Sequence, residues 1–182
     1  MQNPPHELIG GRELARAEIS RIWEIDRREV IDNIYYYEHG GLVLKPEHYD
    51  MEGWPPGEAD LYTPLLLDCF DRGGWFYALF EGEQLIAAVV LESKFIGTRG
   101  DLLQLKQLHV SSSWRGRGLG RQLFDLARSR ARAQGARGLY ISATPSEHTV
   151  NFYMRLGCTL ASALDPGLFA LEPEDIHLEC AI

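Results

Sequence analysis

The sequence predicts a mixed α/β (α+β) fold, and three observations carry the prediction. An extended apolar segment at 103–110 runs into Arg115-Gly116-Arg117-Gly118-Leu119-Gly120, which opens a helical segment at 119–134. A second strand, 139–143, leads into a second helix at 145–156. Ahead of both, apolar runs at 74–80 and 85–91 flank Glu81-Gly82-Glu83-Gln84, a hairpin signal.

Residues 1–10 read as a polar tail, or as a first strand at 7–10. The stretch 12–33 has helical spacing, with Leu14, Ile19, Ile22, Trp23, Val30 and, just beyond it, Ile34 apolar. Residues 35–59 contain Gly40-Gly41, Gly53 and Pro55-Pro56 and read as irregular, and 61–71 as a short helix. In the strand 103–110, Leu103 and Leu105 share one parity and Leu108 and Val110 the other. Either leucines occupy both faces, or one extra residue near Lys106-Gln107, a β-bulge, brings all four to one side. Thr144-Pro145-Ser146-Glu147 reads as a capping box, with Thr144 as N-cap, Pro145 in the first helical position and Glu147 in the third. Val150, Tyr153 and Met154 form the stripe of that helix, and Gly157 stops it.

A chain of 182 residues suits one domain, 1–182, with a full core. The longest apolar run, 85–91, is far too short to span a bilayer, and Met1-Gln2-Asn3-Pro4-Pro5-His6 lacks the basic start and apolar stretch of a signal peptide. Cys69, Cys158 and Cys180 are scattered, odd in number and without CxxC spacing, so neither a metal centre nor a disulfide framework is expected, and a cytoplasmic location is. The net charge of −8 is unevenly spread. Between Arg115 and Arg137 seven arginines face one acid, Asp125, a local +6 that leaves −14 on the remainder. A basic patch can signal nucleic acid, but no long basic run accompanies it and the acidic remainder would repel a polyanionic backbone. A small polyanion fits one local patch better, and the acidic remainder could attract a cationic amine or simply keep the surface soluble.

The glycine-rich stretch carries the most chemistry. Glycines at 116, 118 and 120 allow a tight turn and expose successive N–H groups at a helix N-terminus, whose partial positive charge suits a phosphate or pyrophosphate. Arg115, Arg117 and Arg121 add full charge to the same mouth. A Walker-type loop would end in Gly-Lys-Ser/Thr, which is absent. A dinucleotide fingerprint would need glycine where Arg121 stands and a later acid, which the strand 139–143 lacks.

Arg-x-x-Gly-x-Gly from Arg115 to Gly120 resembles the acetyl-CoA pyrophosphate loop of the GNAT superfamily of N-acetyltransferases. The strand 139–143, the helix carrying Phe152-Tyr153, and Gly157-Cys158 resemble the second motif of that family, and 175–182 resembles its last strand. The specific match covers about 103–182. Where the family often has Asn seven residues before the Tyr, this chain has Ser146.

The resemblance implies a central, mostly antiparallel sheet flanked by helices, with a V-shaped opening between the parallel strands 103–110 and 139–143. It implies acetyl-CoA as cosubstrate, without metal, bound by backbone groups of Leu108, His109 and Val110, by Arg115, Gly116, Arg117, Gly118, Leu119, Gly120 and Arg121, and by Ser146 and Tyr153. Tyr153 is then the candidate general acid toward the leaving thiolate, or a ring that fills the core beside Phe152 and Met154. Many relatives carry a glutamate on the bulged strand; here His109 and Glu92 are the available candidates for the base. Residues 35–39, Tyr35-Tyr36-Tyr37-Glu38-His39, could line the acceptor pocket or form a packed helix end. The expected activity is acetyl transfer to a primary amine, either a small cationic amine or a peptide or protein amine, by direct attack in a monomer or homodimer. A non-catalytic acyl-CoA-binding module is the alternative, and a nucleic-acid-binding protein a more remote one.

Overall fold

The computed structural model describes residues 9–182. Of the strand expected at 7–10, residues 7 and 8 lie outside that range; the described part, β1 (Ile9–Glu13), continues to Glu13. The helix expected at 12–33 is replaced by two other elements. Residues Arg16–Glu24 form a 3₁₀ helix, and the chain then becomes strand β2 (Glu29–Glu38). Ile19, Ile22 and Ile25 recur every third residue, the repeat of a 3₁₀ turn, and all three are buried. Val30, Ile31, Ile34 and the three tyrosines that follow are β-branched and aromatic, which favours a pleated strand.

Residues 35–59 are likewise more ordered than expected. β3 (Gly41–Met51) pairs antiparallel with β2. Their two-residue connection, His39-Gly40, has φ of 53° and 83°, the left-handed pair of a type I′ hairpin turn. Helix α1 (Glu58–Asp71) begins a little earlier than the sequence spacing indicates, from a left-handed Gly57. Strands β4 (Trp75–Glu81) and β5 (Gln84–Ile96) form the expected hairpin.

Strand β6 (Leu102–Val110) carries the bulge. Val90 of β5 sits opposite Gln107 and Leu91 opposite Leu105, so Lys106 is the extra residue. Leu103 and Leu105 are buried, and Leu108 and Val110 pack against the same core, so the bulge does place all four on one side. Helix α2 (Leu119–Ala133) buries Leu119, Leu123, Phe124, Ala127 and Ala131, a single amphipathic stripe, against the sheet. Strand β7 (Gly138–Ala143) follows, then α3 (Glu147–Arg155). The N-cap of α3 is Ser146, not Thr144: the Ser146 hydroxyl accepts the Thr149 N–H at 3.3 Å, while the Glu147 carboxylate accepts from the Asn33 side chain at 2.8 Å instead of closing a capping box. After β8 (Thr159–Leu160), a short helix α4 (Pro166–Leu171) starts at Asp165, whose carboxylate accepts the Gly167 and Leu168 N–H groups at 3.0 Å. Strand β9 (Ile176–Ala181) comes last.

The seven-stranded sheet runs β1-β4-β5-β6-β7-β9-β8 and is antiparallel except where β6 meets β7. That parallel pair holds only from Leu102 to Gln104 against Gly138 to Tyr140; beyond it the bulged half of β6 and the end of β7 part. One core fills the space between the sheet and helices α2 and α3. A second lies between the opposite face, the 3₁₀ helix and α1. The β2–β3 hairpin forms its own sheet and docks on the start of α3, where the Tyr35 N–H donates to the Pro145 carbonyl at 2.8 Å.

Candidate active site

Where β6 and β7 part, a cleft of about 900 Å³ opens. Its walls are the two strands, the turn before α2, the start of α1, the face of α3 with Phe152 and Tyr153, and the stretch from α4 into β9. Most of the residues singled out in the sequence meet here: Leu108, His109, Val110, Arg115, Gly116, Gly118, Leu119, Gly120, Arg121 and Tyr153 all line it.

The turn before α2 has a geometry and a dipole that suit an anion. Gly116 and Gly118 adopt φ of 75° and 83°, the left-handed region, and a Cβ at either would meet no atom within 4 Å. The void beside them is therefore open to a ligand. No side chain caps α2, so the N–H groups of its first turn have no partner within the helix and point outward with the positive end of its dipole. Gly120 serves packing instead, since a Cβ there would lie 3.3 Å from the Phe152 ring; its absence lets α2 pack closely on α3. The three arginines also separate in role. Arg115 donates from Nε to the Val110 carbonyl at 3.1 Å and from Nη1 to the Arg28 carbonyl at 3.0 Å. Arg117 lies over the Trp114 ring at 4.5 Å and outside the cleft wall, and Arg121 is exposed at its mouth with only a loose contact to Asp125 at 3.7 Å.

Tyr153 is buried among aromatic neighbours, 6.0 Å from the Phe124 ring and 5.1 Å from that of Phe152. Burial, joined by the nearby Cys158 and Asp175, raises its phenol pKa well above the usual range and keeps it protonated. His109 meets the Trp54 ring edge-on at 4.9 Å. Burial first, and then the charges of Arg27 and Arg115, push its pKa down to about 3, so the imidazole is neutral and weakly basic.

The far end of the cleft is acidic. Glu58 from α1, Glu172 after α4 and Asp175 before β9 line it, against one guanidinium, Arg27, which binds Glu58 at 3.0 Å. Burial raises the pKa of all three carboxyls, and Asp175 and Glu58 raise that of Glu172 further. Asp175 accepts the Ser142 hydroxyl at 2.8 Å at the end of β7. Gln107 also lines the cleft, and its Oε1 is a buried acceptor without a partner among the described residues. No sequence motif contains these acids, so nothing in the amino-acid order singles them out; Asp165-Pro166, a legible helix start, is the one local hint of the element that brings Glu172 in.

Glu92 and Ser146 stand elsewhere. Glu92 is buried at the far part of β5, outside the cleft wall, bound to Arg72 at 2.7 Å. Burial raises its pKa, but the Ser93 N–H, Arg72 and Lys106 together outweigh that and hold it below the ordinary value. The Ser146 hydroxyl is spent on capping α3 and on Thr149 at 2.9 Å, and Ser146 is outside the cleft wall. Residues 35–39 form a strand and its turn, so they are no helix end; the hairpin reaches the cleft through Glu29 and Met51 instead. Among the described residues, no group of three or more His, Cys, Asp or Glu is placed to hold a metal ion, and no helix is long and apolar enough to cross a membrane.

The sequence model described as the acetyltransferase (GNAT) family matches residues 41–158. No curated protein matches the chain. Among solved structures, a nourseothricin acetyltransferase is similar with a TM-score of 0.66 at 19% identity, over 95% of this chain and 98% of that one. A Bacillus anthracis protein assigned as a streptothricin acetyltransferase, solved with acetyl coenzyme A, gives a TM-score of 0.71 at 15% identity over 96% and 99%. The PaiA N-acetyltransferase of Thermoplasma acidophilum, solved with coenzyme A, gives 0.63 at 14% identity over 96% and 99%. At such identities the structural likeness speaks for the fold alone.

Proposed function

The chain belongs to the acetyltransferase (GNAT) family, and we propose that it moves an acetyl group from acetyl-CoA to a cationic primary amine by direct attack in a ternary complex. One observation carries this reading. A single cleft runs from the uncapped N-terminus of α2, through the parting of β6 and β7, to a wall with three carboxylates. The first part suits a pyrophosphate, the middle a thin pantetheine arm, and the last an ammonium group.

The residues present fit the cosubstrate. The pyrophosphate lies in the open space beside Gly116 and Gly118, on the first N–H groups of α2, with Arg121 at the rim. The arm takes the place of strand pairing that β6 gives up beyond Gln104. A backbone N–H near the bulge stabilises the oxyanion that forms as the amine attacks the thioester carbonyl. Tyr153, protonated and facing the cleft, donates to the departing thiolate. Cys69, Cys158 and Cys180 are all buried and outside the cleft wall, which argues against an acyl-cysteine intermediate.

The acceptor end carries three acids and one guanidinium, so a cation compensates it and an anion does not. The test is a panel of amines with acetyl-CoA, reading free thiol release. The panel includes nourseothricin, spermidine, a lysine peptide and matched neutral amines. Turnover confined to cationic members is expected; turnover of neutral or anionic amines alone would refute the acceptor class. Lines that intersect in initial-rate plots are expected for a ternary complex, and parallel lines would point to a covalent route.

A further inference from the structure

We propose that Asp175, held by Ser142 at the β7 side of the cleft, is the catalytic residue that takes the proton from the acceptor ammonium. The proposal rests on the acetyltransferase reading above and names the base that reading leaves open.

Position singles out Asp175. The base for the amine and the acid for the sulfur must flank the same thioester carbonyl, because N–C bond formation and C–S cleavage occur at one carbon. Tyr153 marks the sulfur side. Among the acids of the cleft wall, Asp175 is the one whose charge reaches the Tyr153 phenol and opposes its ionisation. Of the other candidates, Glu58 is paired with Arg27 at 3.0 Å, Glu29 faces Arg115 at 3.9 Å, Glu92 lies outside the cleft bound to Arg72, and His109 is too weakly basic. Asp175 is fixed by a turn in which its N–H donates to the Glu172 carbonyl at 3.2 Å, and by Ser142, which occupies Oδ2. Oδ1 is left to meet the acceptor nitrogen.

The groups facing Asp175 tune it in opposing senses. Burial raises its pKa, and the Ser142 hydroxyl and the Arg27 charge pull it back. Glu172 shares its field, with Glu58 behind it on α1 and Tyr153 and His148 on α3 bordering the same space. A carboxyl raised in this way is a better base than an exposed one.

In the step proposed, an N–H bond of the ammonium breaks and its proton passes to Asp175 Oδ1. The freed lone pair forms the N–C bond, and the C–S bond breaks with its electron pair on sulfur. Tyr153 gives its proton to that sulfur and recovers one from the nitrogen of the new amide. Asp175 releases its proton to solvent, so one proton leaves per turnover with the free thiol.

The experiment is the pH profile of kcat/KM on the full chain, with acetyl-CoA and with nourseothricin and spermidine as probes. It compares wild type, Asp175→Asn, Asp175→Glu and Ser142→Ala, each checked for coenzyme A affinity and melting. Asp175→Asn is expected to lower kcat by roughly 10²–10⁴-fold and to remove the acid limb, with coenzyme A affinity kept. Asp175→Glu should recover part of the rate and the limb. Ser142→Ala should move the limb to higher pH, because the hydroxyl bonds the ionised form; this variant decides the matter should Asp175→Asn fail to fold. An Asn variant with wild-type kcat and an unmoved limb, or a Ser142→Ala limb that stays in place, would overturn the role of Asp175 and leave the family reading standing. Tight coenzyme A binding by wild type with no turnover of any amine would overturn the catalytic reading itself.

Discussion

Arg115 and Val110 are joined by a hydrogen bond of 3.1 Å from the guanidinium Nε to the backbone carbonyl, so the first residue of the Arg-x-x-Gly-x-Gly loop is tied to the last residue of the bulged strand. With its second bond to the Arg28 carbonyl at 3.0 Å, Arg115 sets the loop against β6 and steadies the cleft's mouth. Much of its bonding capacity is therefore turned inward. Arg121 is the cation left to meet a ligand at the anion end.

The loop variants follow from that division. Arg121→Ala should weaken coenzyme A by about 1 kcal/mol, roughly fivefold, and Arg117→Ala by less, because Arg117 stacks on Trp114 away from the cleft. Gly118→Val should reduce binding by more than about tenfold, at the further cost of about 1–3 kcal/mol of backbone strain at its φ of 83°. Gly157→Ala is the control. It carries comparable strain at φ of 91° outside the cleft wall, and should lower the melting temperature while leaving affinity alone. Calorimetric titration of the four proteins decides it; equal affinities for Gly118→Val and Gly157→Ala would take the loop out of the site.

Tyr153→Phe keeps the ring among Phe124 and Phe152 and removes the phenol proton. The expected result is a kcat lower by roughly 10²–10⁴-fold at nearly unchanged acetyl-CoA affinity, the pattern of an interaction made in the transition state. Steady-state kinetics beside binding and melting curves measure it. A full kcat in the Phe variant means the residue only packs.

At the acceptor end, Glu172→Gln should raise KM for spermidine by about fivefold, the effect of about 1 kcal/mol of lost attraction, and change a neutral amine little. The measurement is run at low and high salt and over a series of pH values, because burial and the neighbouring carboxylates raise the Glu172 carboxyl. The same change in KM for charged and neutral acceptors would show that Glu172 shapes the pocket without attracting charge.

His109 makes the fold sensitive to acid. Its pKa falls from the ordinary 6.5 in the unfolded chain to about 3 in the fold, so between those values the unfolded state binds more protons and stability drops as pH falls. From pH 7 to pH 5 the loss comes to about 2 kcal/mol at most. His109→Phe keeps an aromatic contact with Trp54 and removes the titration. Its melting temperature should decline less than that of wild type over this range; parallel declines would assign the acid sensitivity to other groups.

Local chemistry is what the amino-acid order specifies unaided. The glycine–arginine loop is legible because left-handed glycines and a bare helix N-terminus follow from a few consecutive residues, whereas the change of leucine parity leaves two readings, and the pairing of β5 with β6 selects the bulge. The short 3₁₀ helix is not, because a repeat of three at Ile19, Ile22 and Ile25 is hard to tell from 3.6 over so few residues. The β2–β3 hairpin is obscured because His39-Gly40, a type I′ turn, lies close to further glycines and prolines that together suggest a loop. The sequence suggests Thr144 as the cap, and the structure shifts it to Ser146 where the hairpin docks on α3 through Tyr35 and Asn33. Only the tertiary structure could gather Glu58, Ser142, Tyr153, Glu172 and Asp175 around one cleft. They come from five elements or their ends, and no spacing along the chain encodes a meeting that depends on where β6 and β7 part and how α1 and α4 close over the gap.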